Sequence, residues 1–518
     1  MLRSNKSNNI FAIIITFIFF ISCGFVLKYH ELWRDEMAAY LLSRDSLNLV
    51  DLFKNVRYEG HSILWYVLLR FAHYLYNSVY SMQILSLLIS ASSVFVFMKF
   101  SPFKLWQKLL FVFGFWQFFE YTILSRDYCL EVFLLFTFAT LYKDRYKNYG
   151  LLSLVIILLS FTNVYTLITA GALFVGLIYD YWDSGDLPFL KRSKLVYFII
   201  FTSIGMIGAL FQVYPPSDIF HFENMHAWTL TWNPDYFRRL GDAFTLGFIA
   251  LIKSGPVYWD GGIINPKFFV DYILPLILLL HIYTFFLLRK QKSLLVTYLV
   301  FILSFVIFSY VFFQGGSQRH FGVLFLFWLV LLWMAEYRAI GEPNYESLID
   351  KRIINFSLSF FLVLQFFGGI QASINDLKYD FSDGKNLASF FKKTGYLDDD
   401  YIISAFPDWT GLSVIGYLPE NIKFYYYHGK LFNTYNVSDS RRTDGGPIEN
   451  LACEAYKMSL SKNKKIILIL ESVIYKMDTD LKKFKPIYVS KGESTVGENY
   501  VVLLFDEKSK SKISNCGF

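Results

Sequence analysis

Long apolar runs recur along the first 371 residues of the chain and are separated by short polar segments. A helix of about 20 apolar residues crosses the hydrocarbon core of a bilayer, which is about 30 Å thick. Backbone groups inside a bilayer must be hydrogen-bonded within the protein, which favours α-helices. The pattern predicts about eleven membrane-spanning helices, at residues 10–28, 80–98, 106–122, 128–142, 150–166, 170–182, 195–214, 270–288, 294–313, 321–337 and 353–371.

One further apolar segment, residues 62–78, is predicted to lie at the membrane surface. Its polar residues recur at steps of three or four and therefore share one face of a helix, while apolar residues cover the other face. An arginine in the middle of a bilayer is costly, which argues against a crossing. The polar face consists of Ser62, Tyr66, Arg70, His73 and Asn77.

The distribution of lysine and arginine predicts the orientation of these helices. Every loop on the side of the N-terminus is basic, whereas the short loops on the other side hold only Arg126 and Arg319. Cytoplasmic loops carry the excess of positive charge, so the N-terminus is predicted to be cytoplasmic. The first apolar run is longer than the core of a typical signal peptide, and we interpret it as a retained span. The segments predicted outside are 29–79, 123–127, 215–269, 314–320 and the tail from residue 372.

The tail differs in pattern from the rest of the chain. Short runs of β-forming residues alternate there with two predicted helices, at 384–394 and 447–460, which is typical of a small α/β domain. The sequence thus predicts a membrane domain over residues 1–371 and an extracytoplasmic α/β domain over residues 372–518. The predicted strands are Tyr401–Ala405, Lys423–Tyr427, Lys465–Leu470 and Tyr500–Phe505.

The composition agrees with a membrane protein. Of 518 residues, 55% are hydrophobic and 18% are charged, against about 25% charged residues in soluble domains. The net charge of +7 is spread over many short loops, so it indicates orientation and not a nucleic-acid partner. Two of the four cysteines, Cys453 and Cys516, lie in the predicted outer domain, either as a disulfide or as two free thiols, and no zinc-type spacing is present.

Two acidic residues, Asp35 and Glu36, follow Arg34 just after the first span. A carboxylate near lipid has surroundings that raise its pKa, which suits a general base or a metal ligand. The alternative is a solvated loop with a surface ion pair. The same outer loop ends in Glu59 and His61, and the histidine is either a donor to an anion, a metal ligand or a structural residue.

The other two short outer loops carry cationic residues. Arg126 and Asp127 lie between two predicted spans, and Arg319 and His320 begin a helix after two glycines. An arginine at a helix start is a plausible anion site. The alternatives are a local ion pair in the first loop and a flexible hairpin with an interface-seeking arginine in the second. Acids and cations are therefore predicted on the same side of the membrane. A lipid phosphate needs cationic donors at headgroup depth, and an acceptor hydroxyl needs a carboxylate near it, and this arrangement offers both.

These motifs resemble those of the GT-C fold glycosyltransferases, in particular the superfamily of protein mannosyltransferases and lipid A aminoarabinose transferases. The predicted topology is similar as well, since members of this superfamily have a cytoplasmic N-terminus, 11–13 spans and an outer C-terminal domain. The turn at Gly60–Ser62 departs from the family because it lacks prolines. The segments that carry the resemblance are Leu32–Glu36, Glu59–Leu69, Ser125–Tyr128 and Arg319–His320.

The resemblance implies an inverting transfer of a sugar from a polyprenyl-phosphate or polyprenyl-diphosphate donor to an acceptor hydroxyl outside the plasma (inner) membrane. Asp35 would be the general base, and Glu36 would position the acceptor or a divalent ion. The acceptor would be a glycan, a lipid or a protein of the cell envelope. The donor phosphate would be bound by His61, Arg126, Arg319 and His320, with support from Arg34, Glu59 and Asp127; the candidate ligands of a divalent metal would be Asp35, Glu36 and His61.

Two other functions remain open from the sequence. A lipid or polysaccharide transporter would be expected to show internal repeats and ionisable residues at the bilayer midplane, and the sequence shows the polar clusters at the outer rim instead. A non-catalytic assembly protein of the cell envelope would tolerate the loss of the Asp35 carboxylate.

Overall fold

The computed structural model of the protein describes residues 6–183, 189–218, 234–260, 263–312, 316–342, 345–426, 431–435, 437 and 450–513. The α-helices described up to residue 378 are α1 (Lys6–Leu27), α2 (Arg34–Asp45), α3 (Leu49–Val56), α4 (Ile63–Leu75), α5 (Tyr80–Phe100), α6 (Leu105–Val112), α7 (Tyr128–Tyr142), α8 (Tyr149–Ser160), α9 (Val164–Asp183), α10 (Phe189–Val213), α11 (Pro234–Phe248), α12 (Pro266–Phe268), α13 (Leu274–Leu288), α14 (Lys292–Ile307), α15 (Gln318–Gly341) and α16 (Arg352–Lys378). Three π-helical segments, Phe115–Ile123, Phe269–Ile273 and Phe308–Phe312, interrupt this series.

Eight helical segments of the described chain are long and apolar enough to cross a membrane. The helical membrane class is therefore confirmed, although the predicted number of eleven spans is not. The eight segments are Asn9–Leu27, Tyr80–Phe100, Val164–Asp183, Lys194–Val213, Pro266–Leu288, Lys292–Tyr310, Gln318–Gly341 and Arg352–Lys378.

The remaining predicted spans are shorter or broken. The span predicted at 106–122 consists of α6 and the π-helix Phe115–Ile123, with a break at Gly114. The spans predicted at 150–166 and 170–182 meet a break at residues 161–163, so that α8 ends early and α9 takes up the rest. The predicted span at 128–142 is the 15-residue α7. With 8 to 15 residues, α6, α7 and α8 are about 12 to 22 Å long and do not cross the hydrocarbon core by length alone.

Helix α4 covers most of the segment 62–78, for which the sequence predicts a helix at the membrane surface. Its 13 residues extend about 20 Å, which is too short to cross the bilayer core. Trp65 and Leu69 are buried against the protein, whereas Phe71 and Leu75 are exposed and available to lipid.

Buried ion pairs fasten one end of the helical bundle. Asp180 of α9 accepts hydrogen bonds from Tyr142 and, in a close contact, from Arg145 after α7, and it pairs with Arg338 of α15 at 3.2 Å. Arg145 also donates to Glu342 at 2.7 Å. The ends of α7, α9 and α15 are therefore held together, and the loops with Asp35, Arg126 and Arg319 gather at the opposite end.

The chain after α16 folds into a six-stranded sheet with the order β3-β2-β1-β4-β6-β5. The central β1 is parallel to both β2 and β4, and the other pairs are antiparallel. Within the described residues the four predicted strands and the two predicted helices are present, whereas residues 427 and 447–449 of these predictions lie outside the described residues. Helix α16 continues past residue 371. The elements are α17 (Gly384–Thr394), β1 (Tyr401–Phe406), α18 (Leu412–Ile415), β2 (Phe424–Tyr426), β3 (Leu431–Asn433), α19 (Leu451–Lys462), β4 (Lys465–Glu471), α20 (Ser472–Met477), β5 (Tyr488–Val489) and β6 (Tyr500–Phe505), with short 3₁₀ turns at Asp408–Gly411, Leu481–Lys483 and Glu507–Lys512.

The sheet domain docks on the loop that follows α1. The Leu32 amide donates to the Tyr417 hydroxyl at 2.8 Å, and the Phe381 amide donates to Glu31 at 3.1 Å. These contacts place the sheet domain at the same end of the bundle as Asp35. Within this domain Cys453 is disulfide-bonded, and Cys516 lies outside the described residues.

Candidate functional site

Glu36 fixes the start of α2. One of its oxygens accepts from the Trp33 amide at 3.1 Å, which forms the reverse half of a capping box. Its other oxygen accepts from the Ser125 amide at 2.6 Å, across the boundary to the loop before α7. Glu36 is fully buried. Glu36 therefore fixes two loops of the site relative to each other, and both of its carboxylate oxygens accept hydrogen bonds from backbone amides.

His30 extends this buried network. Its two ring nitrogens lie 3.4 Å from Glu36 and 3.0 Å from Asp376 of α16. Burial lowers the pKa of His30, but the two carboxylates outweigh burial and raise the pKa to about 10. The Tyr258 hydroxyl also donates to Asp376 at 2.9 Å. An imidazolium ion thus links the end of α1 to α2, to α16 and to the segment around residue 258.

Asp35 lies at the centre of the cationic residues. Its Oδ2 accepts from Arg319 Nη2 at 3.1 Å and lies 3.5 Å from Arg126 Nη1, and its Oδ1 lies 3.7 Å from Arg34 Nε. Burial favours a raised pKa, but the three arginines hold the pKa of Asp35 below its usual value. The side chain is still 28% exposed. The structure therefore brings the three predicted outer loops together around one accessible carboxylate.

Arg319 lies between two tryptophan rings. Its guanidinium carbon is 5.4 Å from the centre of the Trp33 ring and 5.5 Å from that of Trp259, which are favourable cation–π distances. Trp259 is fixed by donating to Glu120 at 2.9 Å. The Nε and Nη1 groups of Arg319 are buried and have no hydrogen-bond partner among the described residues. The guanidinium is therefore held between two rings and the Asp35 carboxylate, with two enclosed N–H groups that have no partner among the described residues.

Arg126 is oriented by two neighbours. Its Nη2 donates to His61 Nε2 at 3.0 Å, and its Nε lies 4.0 Å from Asp127. Burial lowers the pKa of His61 to about 4, although Asp127 raises it. His61 is therefore a neutral acceptor in this structure and not a cation. Asp127 in turn accepts from Asn163 at 2.8 Å, which fixes the loop to the start of α9.

Two other predicted site residues, His320 and Glu59, interact with groups other than Asp35. The Nδ1 of His320 accepts from the Ser317 amide at 2.9 Å, and its ring stacks on Tyr165, so that it caps the start of α15. Glu59 is half-buried between α3 and α4 and acts electrostatically on the Tyr66 hydroxyl. Neither contact involves the Asp35 carboxylate.

Arg34 connects the site to the sheet domain. Its amide donates to Glu498 at 3.0 Å, and its Nη1 lies 4.0 Å from Glu471 at the end of β4. Glu498 is buried and also accepts from Ser382 at 2.6 Å. Burial raises the pKa of Glu498, although Arg34 lowers it.

Several residues of this site carry no signal in the sequence. Asp376 lies in a polar stretch after the last predicted span, Trp259 lies in a long predicted outer loop, and Glu498 lies in the tail. Each acquires its role from a contact with a residue more than one hundred positions away. Trp33 is part of the sequence motif around Asp35, but the sequence pattern assigned it no role of its own.

The described residues form no group of three or more histidine, cysteine, aspartate or glutamate side chains arranged to hold a metal ion. Of the three candidate ligands, Glu36 is engaged with backbone amides and His30, His61 with Arg126, and Asp35 with the arginines. The described chain thus offers a divalent ion no assembled ligand set.

A cavity of about 930 Å³ adjoins this cluster. Asp260, which follows Trp259, accepts from the Gln318 amide at 3.1 Å, and both residues line the cavity. Because Gln318 directly precedes Arg319, the cavity wall and the arginine cluster share the first turn of α15.

A comparison of the chain with protein-family models gives no match, and a search of curated proteins gives no match either. The case for a function therefore rests on the geometry described above and on the short motifs of the sequence.

Proposed function

We propose that this protein is an inverting glycosyltransferase of GT-C type. It moves a sugar from a polyprenyl-phosphate or polyprenyl-diphosphate donor to an acceptor hydroxyl at the outer face of the membrane. The observation that carries the proposal is the approach of Arg319 and Arg126 to the Asp35 carboxylate, at 3.1 and 3.5 Å. A carboxylate and two fixed guanidinium groups are the parts that attack by a hydroxyl and departure of a phosphate require.

The arginine pair suits the leaving phosphate. Arginine binds phosphate oxygens through paired, charge-assisted hydrogen bonds, and Arg319 has two donors without a partner among the described residues. Donors that are already in place stabilise the charge that develops as the glycosidic bond breaks. A phosphate is a good leaving group, so the reaction needs cations there and no general acid.

Asp35 is the candidate general base. Without a donor, both arginines hold its Oδ2, and a carboxylate stabilised in this way is a weak base. A donor phosphate would compete for the same guanidinium groups, weaken their attraction on Asp35 and raise its pKa. Donor binding would thus prepare the base before an acceptor hydroxyl arrives.

The arrangement of the two ends of the bundle supports the proposed orientation. The Asp35 cluster and the sheet domain share one end, and the opposite end holds Arg145 and Arg338 in a buried network with Asp180. With the positive loops in the cytoplasm, the site and the sheet domain face outward. This is the side on which a lipid-linked sugar would be used in a plasma (inner) membrane.

The proposal is tested by incubating membranes that contain the protein with radiolabelled polyprenyl-phosphate sugars. Replacing Asp35 with Asn is expected to lower transfer by about 10²- to 10⁴-fold, the range for loss of a general base. Asp45→Asn is the matched control, because Asp45 is on the same helix and is paired with Arg44 at 2.6 Å. Full transfer by Asp35→Asn, or movement of lipid without transfer in the wild type, would count against the enzyme.

A further inference from the structure

The cavity beside the arginine cluster has walls from several elements. Helix α11, the start of α12, the π-helix Phe308–Phe312 and the first turn of α15 contribute to it. Its volume of about 930 Å³ lies within the roughly 300–1,000 Å³ of small-molecule sites in proteins. The cavity is therefore large enough for a substrate group and not only for a few waters.

Gln318 is the polar side chain that indicates a ligand there. It is only 3% exposed, and neither its Oε1 nor its Nε2 has a hydrogen-bond partner among the described residues. A buried amide without partners is costly. The side chain has two N–H donors and one carbonyl acceptor to offer, and Gln318 belongs to the wall of the cavity. Both polar atoms are enclosed in that wall, so a ligand hydroxyl would satisfy the amide once the side chain turns toward the cavity.

The charges of the cavity lining balance. Three carboxylates and three cationic side chains line it, together with apolar groups such as Leu246 and Val270. A balanced lining does not favour a strongly anionic group, and the many polar groups do not favour a purely apolar one. A sugar ring fits both conditions, because its hydroxyls donate to carboxylates and accept from cations. The charged residues are Asp242, Asp260, Asp271, Arg238, Arg239 and Lys267.

We infer that this cavity binds the saccharide part of a substrate and that Gln318 hydrogen-bonds to one of its hydroxyls. The inference rests on the proposed function, since it places a sugar next to the phosphate-binding Arg319. Asp260 connects the two sites. It accepts a hydrogen bond from the backbone amide of Gln318, and it follows Trp259, which contacts Arg319. The saccharide belongs either to the donor or to the acceptor.

The test measures the binding of two kinds of lipid to the full chain in nanodiscs. The probes are polyprenyl phosphate without a sugar and a set of polyprenyl-phosphate hexoses and pentoses. Binding of each lipid is monitored by tryptophan fluorescence. For a donor saccharide, Gln318→Leu is expected to weaken binding of the preferred glycosylated lipid about tenfold, equivalent to one lost hydrogen bond. Binding of the bare lipid is expected to stay unchanged.

Two further variants keep the result interpretable. Asp271→Asn alters an exposed residue of the cavity and does not threaten folding, and it is expected to weaken the same ligand. Gln291→Leu is the matched control, because Gln291 is also buried with a side-chain oxygen that has no partner among the described residues. Gln291 follows the far end of α13, about 22 Å along that helix from the end that lies beside the cavity. The Gln291→Leu variant is therefore expected to leave binding unchanged.

The outcomes separate the two sources of the sugar and the two proposals. If binding of the donor is unchanged in both cavity variants but transfer requires a higher acceptor concentration, the saccharide is that of the acceptor. If neither quantity changes while the bare lipid still binds, the cavity inference is overturned and the proposed function stands. If the wild type binds no polyprenyl phosphate of either kind, both proposals fall.

Discussion

His30 and Asp35 are close in the sequence, and the fold gives them opposite electrostatic surroundings. His30 lies between two carboxylates, at 3.0 and 3.4 Å, and its pKa rises to about 10. Asp35 lies among three arginines, and its pKa falls below its usual value. Both groups are therefore charged at neutral pH, and each charge helps to hold the loop between α1 and α2.

The protonated His30 makes the stability of the protein depend on pH. Its pKa is about 10 in the folded protein and about 6.5 in an unfolded chain. Because the folded value is the higher one, the stabilisation is complete below about pH 6.5 and is lost as the pH rises through about 10. The midpoint of thermal unfolding in detergent is expected to fall between pH 7 and pH 10.

The expected pH dependence is assigned by substitution. In His30→Gln the fall across this pH range should be much smaller. His73→Gln is the control, because His73 is only partly buried and its pKa is lowered, not raised. An equally steep fall in His30→Gln and the wild type would assign the effect to other groups.

At the scale of elements, α16 packs closely against the segments that lead into the site. A Cβ atom at Gly368 would fall 1.6 Å from the backbone oxygen of Ala250, and one at Gly369 would fall 2.8 Å from the Phe115 amide. Small residues of this kind allow helices and backbone segments to approach closely within a membrane. The approach at Ala250 fixes the chain that continues to Trp259.

Gly368→Ala is expected to destabilise the protein. The added methyl group has no space unless the backbone around Ala250 moves, and such overpacking typically costs about 1–3 kcal/mol. The measurement is the thermal unfolding midpoint together with transfer activity, which should also fall because Trp259 supports Arg319. Gly24→Ala is the matched control, since its nearest contact outside α1 would be an ordinary 3.8 Å to Leu87. Equal midpoints for the two variants would contradict the packing argument.

At the scale of the whole molecule, the sheet domain is joined to the membrane domain through the residues beside Asp35. Glu498 accepts from the Arg34 amide, Tyr417 accepts from the Leu32 amide, and Glu471 lies near the Arg34 side chain. Glu36 holds the other side of the same turn. The start of α2 is thus clamped between the two domains.

Glu498→Ala is expected to weaken this clamp. Loss of the acceptor leaves the partly buried Arg34 amide without its partner, which costs up to about 1–3 kcal/mol, and the Asp35 site should loosen. Hydrogen exchange at residues 31–37 should accelerate and transfer should fall, while exchange within β4 and β6 stays slow. Glu493→Ala, at an exposed position of the same domain, is expected to change neither. Unchanged exchange at residues 31–37 would show that the docking does not hold the site.

The sequence by itself determined the class of the protein, the positions of most helices and the strands of the sheet domain. These features follow from local patterns, since a long apolar run requires a helix in a bilayer and alternating β-forming runs require a sheet. The helix α4 itself also followed from the spacing of its polar face. Asp35, Arg126 and Arg319 were found as candidates because they interrupt apolar surroundings near helix ends.

Only the tertiary structure decided how these candidates are used. The break at residues 161–163 lies where Thr162 and Phe161 accept backbone hydrogen bonds from Ser62 and Leu64, and the break at Gly114 lies where Gly369 of α16 approaches closely. A hydropathy pattern does not record such contacts. Partners distant in sequence made His61 a neutral acceptor for Arg126 and directed Glu36 to backbone amides. The state of a buried polar group depends on the charges and hydrogen bonds that surround it in space, and neither is encoded in its immediate neighbours along the chain.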